Sequence, residues 1–522
     1  MVFVSGVSHQ AYCQLLARSK IGLNVVGGVA GYYADVRPPG GNSDTASLVG
    51  KHNGSNFAVY GQLEKKFFEK LTVGFGVRYE YFRIDTFSSD ALPVFRAGLN
   101  YQAAEATFIR ASWGQGYRFP TIAEKFNTYR FADYKEQVID LLQRVCTAVA
   151  AAAAAFPAWS GREINERAVL LRRVGAGLKS ARRDLALTMT AEMGKLHREA
   201  LAEVDKCADA CEYYAQNAAG YLAEQAIATE AARSYVRYVP LGCVFAIMPW
   251  NFPIWQVFRF LAPGLMAGNV ALLKHATNVP RCADAIAEVL SDAGLPEGVF
   301  GVLHINNEQA ADVIADPRVK AVTLTGSERA GRSVASNAGS QLKKSVMELG
   351  GSDAFIVLDD ADLDKTVAGA VASRFGNAGQ TCIAAKRFIV VAAIAEEFVR
   401  RFTEASAKLA VGDPNDEATG LAPMARADLR DELHKQVEAS LSAGAKAALG
   451  CAPGAGDTHY PASILDQVRP GMPAYDQELF GPVASILRAK DEAEAVAMAN
   501  DTAFGLGASV WTRDRDRGEA VA

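Results

Sequence analysis

Five short segments, met in chain order, carry side chains able to do covalent or acid–base chemistry. Cys382 closes the run Gly376-Asn377-Ala378-Gly379-Gln380-Thr381-Cys382. A thiolate is a soft nucleophile, although a cysteine taken alone is more often a buried core thiol. Glu348 opens Glu348-Leu349-Gly350-Gly351; a carboxylate can relay a proton, yet singly it is usually a surface charge. Asn251 stands in Pro249-Trp250-Asn251-Phe252-Pro253, after an apolar run. Its amide can donate to a developing negative charge or merely shape a turn. Thr325-Gly326-Ser327, with Gly331 beyond it, flanks a strand-to-helix turn where a helix N-terminus can face a pyrophosphate; so sparse a pattern is by default a packing turn. The fifth segment is Glu478-Leu479-Phe480-Gly481-Pro482-Val483. No GxGxxG fingerprint follows a suitable strand.

These segments need a rigid frame, and the chain from about 138 onward predicts one. An alanine-rich helix is expected over 141–156, since alanine is the best helix former. Amphipathic helices follow over 162–179, 182–193 and 201–221. Short apolar strands are expected at 242–248, 270–274, 321–325, 354–358 and 387–391, with helices at 283–293, 330–339 and 363–372 between them. Strands alternating with helices imply parallel, doubly wound sheets.

Before residue 135 the style differs. Leu71, Val73, Phe75, Val77, Tyr79 and Tyr81 fall on every second position, which is the period of a strand. Further strands are expected near 56–65, 94–102 and 105–117, separated by turns at Asn53-Gly54 and Ser88-Ser89-Asp90. The pattern is an antiparallel meander of about five strands.

Composition narrows the function classes. The 522 residues are half hydrophobic and 21% charged, enough for several globular domains. A net charge of −4 argues against a nucleic-acid partner. Eight scattered cysteines form no CxxC pair, which points to reduced thiols in a cytosol-like compartment; with seven scattered histidines, no metal site is expected. No apolar run is long enough for a transmembrane helix and no signal peptide is evident, so a cytoplasmic location is expected and a membrane is not.

Taken together and in this order, the five segments resemble the aldehyde dehydrogenase superfamily over about 138–522. IMPWNFPIWQV, LLKHATNVP, ELGGSDAFIVLDDADL and GDPNDE resemble its succinate-semialdehyde branch. The resemblance implies the aldehyde dehydrogenase fold, with an NAD(P)-binding domain over 138–347 and a catalytic domain over 348–522. It makes Cys382 the nucleophile that attacks the aldehyde to form a thiohemiacetal. The Asn251 side chain, with the Cys382 backbone N–H, would hold the oxyanion. Oxidation by the nicotinamide leaves a thioester, and Glu348 would be the base that activates water to release the acid. Gly350, Gly351, Gly376 and Gly379 let backbone approach substrate and cofactor closely.

The same resemblance assigns Trp250, Gly326, Ser327, Gly331 and Leu349 to cofactor binding. It places Lys274 on the adenosine ribose, Glu478 on the nicotinamide ribose and Phe480 beside the nicotinamide. Thr277 stands where NAD-specific relatives often carry an acid; the missing carboxylate removes repulsion against a 2′-phosphate, so NADP is expected to be accepted alongside NAD. Arg259 matches a position where semialdehyde enzymes hold a substrate carboxylate, and a guanidinium suits that task. Gly376 stands where some of these enzymes place a second arginine, and the nearby Arg374 is expected to compensate. Trp255 and Phe258 would line an apolar channel or pack in the core. The small-molecule aldehyde expected is succinate semialdehyde, with glutarate semialdehyde and other small aldehydes as alternatives.

AVYGQLEKKFFEKLTVGFGVRYEYF and ASWGQGYRFPTIAEKF resemble strands of a TonB-dependent receptor barrel over roughly 20–130. Such a barrel needs many more strands to close, so the segment over 1–135 is expected not to work as a receptor. The alternative to a working dehydrogenase is therefore a non-functional chimera, a receptor fragment joined to an inactive enzyme. Family members are expected to carry a strand-bearing segment before the first helix and to continue well beyond Ala522. The missing part closes the substrate pocket and pairs with a partner subunit. A hairpin near 226–238 supplies the other element of the family's homo-oligomer, which on this reading is in doubt here.

Overall fold

The computed structural model describes residues 5–18, 23–37, 52–67, 70–84, 87–88, 92–104, 107–114 and 131–522. The chain divides into two compact units, 1–142 and 143–522.

The first unit is one antiparallel sheet of β1 (Ser5–Arg18), β2 (Leu23–Arg37), β3 (His52–Phe67), β4 (Leu71–Ile84), β5 (Phe87–Ser88), β6 (Leu92–Ala104) and β7 (Thr107–Gly114). The order is β1-β2-β3-β4-β6-β7, with β5 on β4. Among the described residues seven strands stand where about five were expected. β2 gave no signal because LNVVGGVAGYYADVR mixes glycine and alanine into both faces and blurs the alternation. The expected turn at Asn53-Gly54 is corrected: both residues pair inside β3, opposite Asp35 and Ala34. Ser88 ends β5, while Ser89 and Asp90 lie outside the described residues.

The first helix runs Phe131–Ser160, longer than expected at both ends. Pro157 sits in its last turn, where the missing N–H costs one hydrogen bond without ending the helix, and its carbonyl accepts from Gly161 N. Helices Ile164–Ser180, Arg182–Met193 and His197–Tyr221 follow, each close to its expected range. A two-stranded antiparallel hairpin, β8 (Gln225–Ala226) and β9 (Tyr235–Val236), comes next, with Tyr235, Val236 and Tyr238 exposed.

Two open sheets form the rest. The first holds β10 (Cys243–Met248), β11 (Val270–His275), β12 (Phe300–Val302), β13 (Val319–Thr325) and β14 (Lys344–Glu348) in the order β12-β11-β10-β13-β14. All of its pairings are parallel. β11 is buried at every residue, which explains the apolar run Val270–Leu273 before Lys274 and His275. The second sheet holds β15 (Asp353–Val357), β16 (Ala385–Val391), β17 (Lys446–Leu449), β18 (Ser463–Asp466), β19 (Val483–Ala489) and β20 (Ala508–Trp511) in the order β17-β18-β19-β16-β15-β20. Only β17 and β18 pair antiparallel. In the first sheet the order reverses between β10 and β13. A crevice at the carboxyl ends of strands around such a reversal is where open α/β sheets take ligands. Asn251, Lys274, Gly326 and Glu348 all lie at those ends.

Candidate active site

The turn before Cys382 is built from left-handed backbone. Asn377 and Ala378 both have φ of 52°, and Gly379 follows at 70°. Consecutive non-glycine residues in this region store strain and persist only when their surroundings fix them. Here the surroundings do so. The Asn377 side chain donates to the carbonyls of Asn251 (2.9 Å) and Gln380 (3.3 Å). The Gln380 side chain donates to Asn377 O and accepts from Ala425 N. A side chain on Gly379 would collide with the Gly481 carbonyl and the Arg374 guanidinium.

Arg374 is wholly buried and donates to the carbonyls of Gly379, Leu479, Gly481 and Ala385. It is a structural pin for this turn, which corrects the expectation that it compensates for Gly376 at the substrate. Both of its terminal nitrogens are taken by carbonyls, and the whole side chain is shut off from the surface. Phe258 is likewise fully buried, which settles its place as core.

Asn251 reaches the same turn from the end of β10. Its Nδ2 donates to Gln380 O at 2.9 Å, and its buried Oδ1 has no partner. His275, at the end of β11, holds the next stretch: its Nε2 lies 2.8 Å from Pro253 O. Its Nδ1 accepts from Ala276 N, so Nε2 carries the proton. Burial lowers the His275 pKa to about 4.

Cys382 is half-buried, and burial pushes its thiol above the ordinary value. Lys386 opposes that shift most strongly among the neighbouring charges, with Arg259 contributing in the same sense. The Lys386 ammonium donates to Thr381 O (2.9 Å) and Cys382 O (2.7 Å) and pairs with Glu478 at 3.3 Å. Desolvation lowers the Lys386 pKa to about 8. Glu478 also accepts from Gly351 N at 3.1 Å, and a side chain on Gly350 would strike its carboxylate. Nothing in the five segments marked Lys386; one lysine four residues beyond a cysteine has no periodic or motif signal.

Glu348 ends β14 opposite Thr325 at the end of β13. The Arg259 guanidinium spans both, 3.4 Å from the Glu348 carboxylate and 3.1 Å from Thr325 Oγ1. Arg259 is thus engaged by the expected base, and it also lies within electrostatic reach of Cys382.

Of the residues expected to hold a nucleotide, Trp250, Lys274, Thr277, Gly326, Ser327, Gly331 and Leu349 lie at or just beyond the carboxyl ends of β10, β11, β13 and β14. Ser327 caps helix Glu328–Ser340, accepting from Ala330 N. Gly331 lies against Leu349, and a Cβ there would strike that side chain. Lys274 is buried without a hydrogen-bond or ion-pair partner among the described residues. Such an orphan cation fits a polar or anionic ligand at the strand end. Thr277 is exposed on the turn that follows. Trp250 meets Phe480 edge-on, 5.8 Å between centroids. Among the described residues no group of three His, Cys, Asp or Glu could hold a metal, and no helix is long and apolar enough to cross a membrane.

The parallel sheets and the strand reversal are those of an open α/β fold. Residues 142–522 match the aldehyde dehydrogenase family, and the chain belongs to that family. Residues 7–158 also match the TonB dependent receptor-like β-barrel. A probable succinate-semialdehyde dehydrogenase [NADP(+)] of Synechocystis sp. is 52% identical over 351 residues, 66% of this chain and 77% of that protein. The succinate semialdehyde dehydrogenase [NAD(P)+] Sad of Escherichia coli is 48% identical over 372 residues, 71% of this chain and 80% of its own length. The crystal structure of succinic semialdehyde dehydrogenase from Streptococcus pyogenes in complex with NADP+ superposes with a TM-score of 0.70 at 35% identity, covering 78% of this chain and 86% of that one.

Proposed function

We propose that the chain oxidises a short acidic aldehyde, succinate semialdehyde foremost, to the dicarboxylic acid with NADP or NAD as acceptor. One observation carries this reading: the Asn251 amide, from the end of β10, is hydrogen-bonded to the turn that presents Cys382. Cys382 attacks the aldehyde carbon, and its raised pKa means that a proton must be removed first. Asn251 has a second amide N–H beyond the one on Gln380, available to an oxyanion beside the sulfur. Glu348 takes a proton from the water that releases the acid, and the Arg259 guanidinium, 3.4 Å away, places its carboxylate.

A bound nicotinamide nucleotide would supply the two-electron acceptor. Lys274, Thr277, Gly326, Ser327, Gly331 and Leu349 would hold its adenosine and phosphates, and Trp250, Glu478 and Phe480 its nicotinamide half. The relatives named for NADP and the absence of a carboxylate at Thr277 support NADP as well as NAD. The two open sheets divide between Glu348 and Asp353, which supports a cofactor domain up to 347 and a catalytic domain from 348. The exposed β8–β9 hairpin supports pairing between copies, and the free cysteines a reducing, cytoplasmic setting.

Formation of NADPH or NADH with succinate semialdehyde, measured on the full chain and on Cys382→Ala, tests the reading. Turnover should vanish in the variant; equal rates would overturn it. A second reading applies to the first unit alone: its antiparallel sheet and its match to a receptor barrel support a barrel-derived segment with no part in the oxidation.

A further inference from the structure

A cavity of about 430 Å³ opens beside the nucleophile. Thr381 and Ile383, the two neighbours of Cys382, form one wall. Helix His197–Tyr221 and Trp255 form the other, and most of the charges there are already matched. Lys195 is buried against Glu203 and lies 3.9 Å from the centre of the Phe252 ring. The other oxygen of Glu203 accepts from Ile254 N and Trp255 N, both at 2.9 Å. Glu199 takes Asn377 N, 3.2 Å from each oxygen.

Lys206 is different. It faces the same cavity one turn beyond Glu203 and is exposed. Its ammonium sits 3.9 Å from the centre of the Trp255 indole. Among the described residues no carboxylate lies within ion-pair distance of it. The two arginines that sequence reasoning offered to the substrate are both occupied, Arg374 by four carbonyls and Arg259 by Glu348 and Thr325.

We propose that Lys206, shelved on Trp255 at the mouth of the cavity beside Cys382, receives the distal carboxylate of the acidic aldehyde and so determines specificity. The inference rests on the aldehyde-oxidising reading above. An ammonium on an aromatic face retains its hydrogens for a second, anionic partner, and the indole beneath it gives the substrate methylenes an apolar floor. The carboxylate is remote from the reacting carbon. Its contact is therefore made equally in ground and transition states, and it belongs in KM rather than kcat.

The test uses the full chain with succinate semialdehyde and butanal, which share a carbon count and differ in the carboxylate. Lys206→Met should lower the kcat/KM preference for the acidic aldehyde roughly tenfold or more, through KM, and Lys206→Arg should restore most of it. A wild-type chain without that preference sinks the acidic-substrate reading whatever Lys206 does. A wild-type preference that survives in Lys206→Met overturns the present inference alone. Calorimetric titration with succinate supplies a readout independent of turnover. Binding by the wild type that Lys206→Met loses supports the inference; equal binding by both, or none by the wild type, overturns it. Unchanged circular dichroism and melting of the variants separate charge loss from unfolding.

Discussion

At Cys382 two opposing effects meet. Desolvation raises the thiol pKa, while Lys386 draws it back. Replacing Lys386 by Gln removes the cation and leaves burial in place. Alkylation of Cys382 by iodoacetamide should then be severalfold slower near neutral pH and should recover as pH rises, read by mass spectrometry of the Cys382 peptide. An unchanged alkylation rate would show that Lys386 serves the backbone carbonyls and Glu478 rather than the thiol. Asn251→Ala removes an oxyanion donor, and kcat should fall about 10²–10³-fold with little change in NADP affinity. Comparable losses in both quantities would indicate a collapsed turn instead. Cys382, Glu348 and Asn251 were legible because each sits in a motif whose neighbours constrain it. Gln380 and Lys386 act through carbonyl oxygens, and every residue has one, so no side-chain pattern announces such partners.

The ends of β10 and β11 and the left-handed turn at 377–379 place these side chains. His275 joins the β11 end to Pro253 as a neutral donor, with a pKa of about 4 against an ordinary 6.5. Between those values the unfolded chain binds the extra proton and the folded chain does not. Its contribution is therefore intact above pH 6.5 and is lost as pH falls toward 4, by about 3 kcal/mol in all. Glu199 and Asp353, raised by burial, act with the opposite sign, losing stability as pH rises through the carboxylate range. His275→Gln should flatten the decline in urea midpoint between pH 6.5 and 4; a parallel decline in both proteins would assign it elsewhere. The five strands expected between 242 and 391 lay within a few residues of their bounds, since buried parallel strands read as short apolar runs, whereas none was marked beyond 391. The turn was not readable. Its glycines suggested close approach, but only the side-chain bonds of Asn377 and Gln380 and the Arg374 pin show why Asn377 and Ala378 adopt positive φ.

On the scale of the whole molecule, the chain pairs a family-typical enzyme unit with a sheet that exposes an apolar strip among its described residues. Register places Tyr79 opposite Val59, Phe75 opposite Leu63, and Val73 opposite Leu99, so these six side chains share a face. All six are exposed, from 38% to 52% for the set that includes Val77. The period-two pattern in 71–81 made this face legible. What covers it was not legible, because alternation fits a solvated sandwich and a barrel wall alike. An apolar strip of this kind on an antiparallel sheet favours association with other apolar surfaces. The full chain should therefore self-associate in plain buffer and become monodisperse in mild detergent, as followed by light scattering. Phe75→Lys with Val77→Lys places two charges in the middle of the strip and should reduce association without detergent, leaving NADPH formation per folded enzyme unit unaltered. If the double variant scatters as strongly as the parent, the association runs through another surface, and the exposed β8–β9 hairpin, with Tyr235 and Val236 outward, is the next to alter.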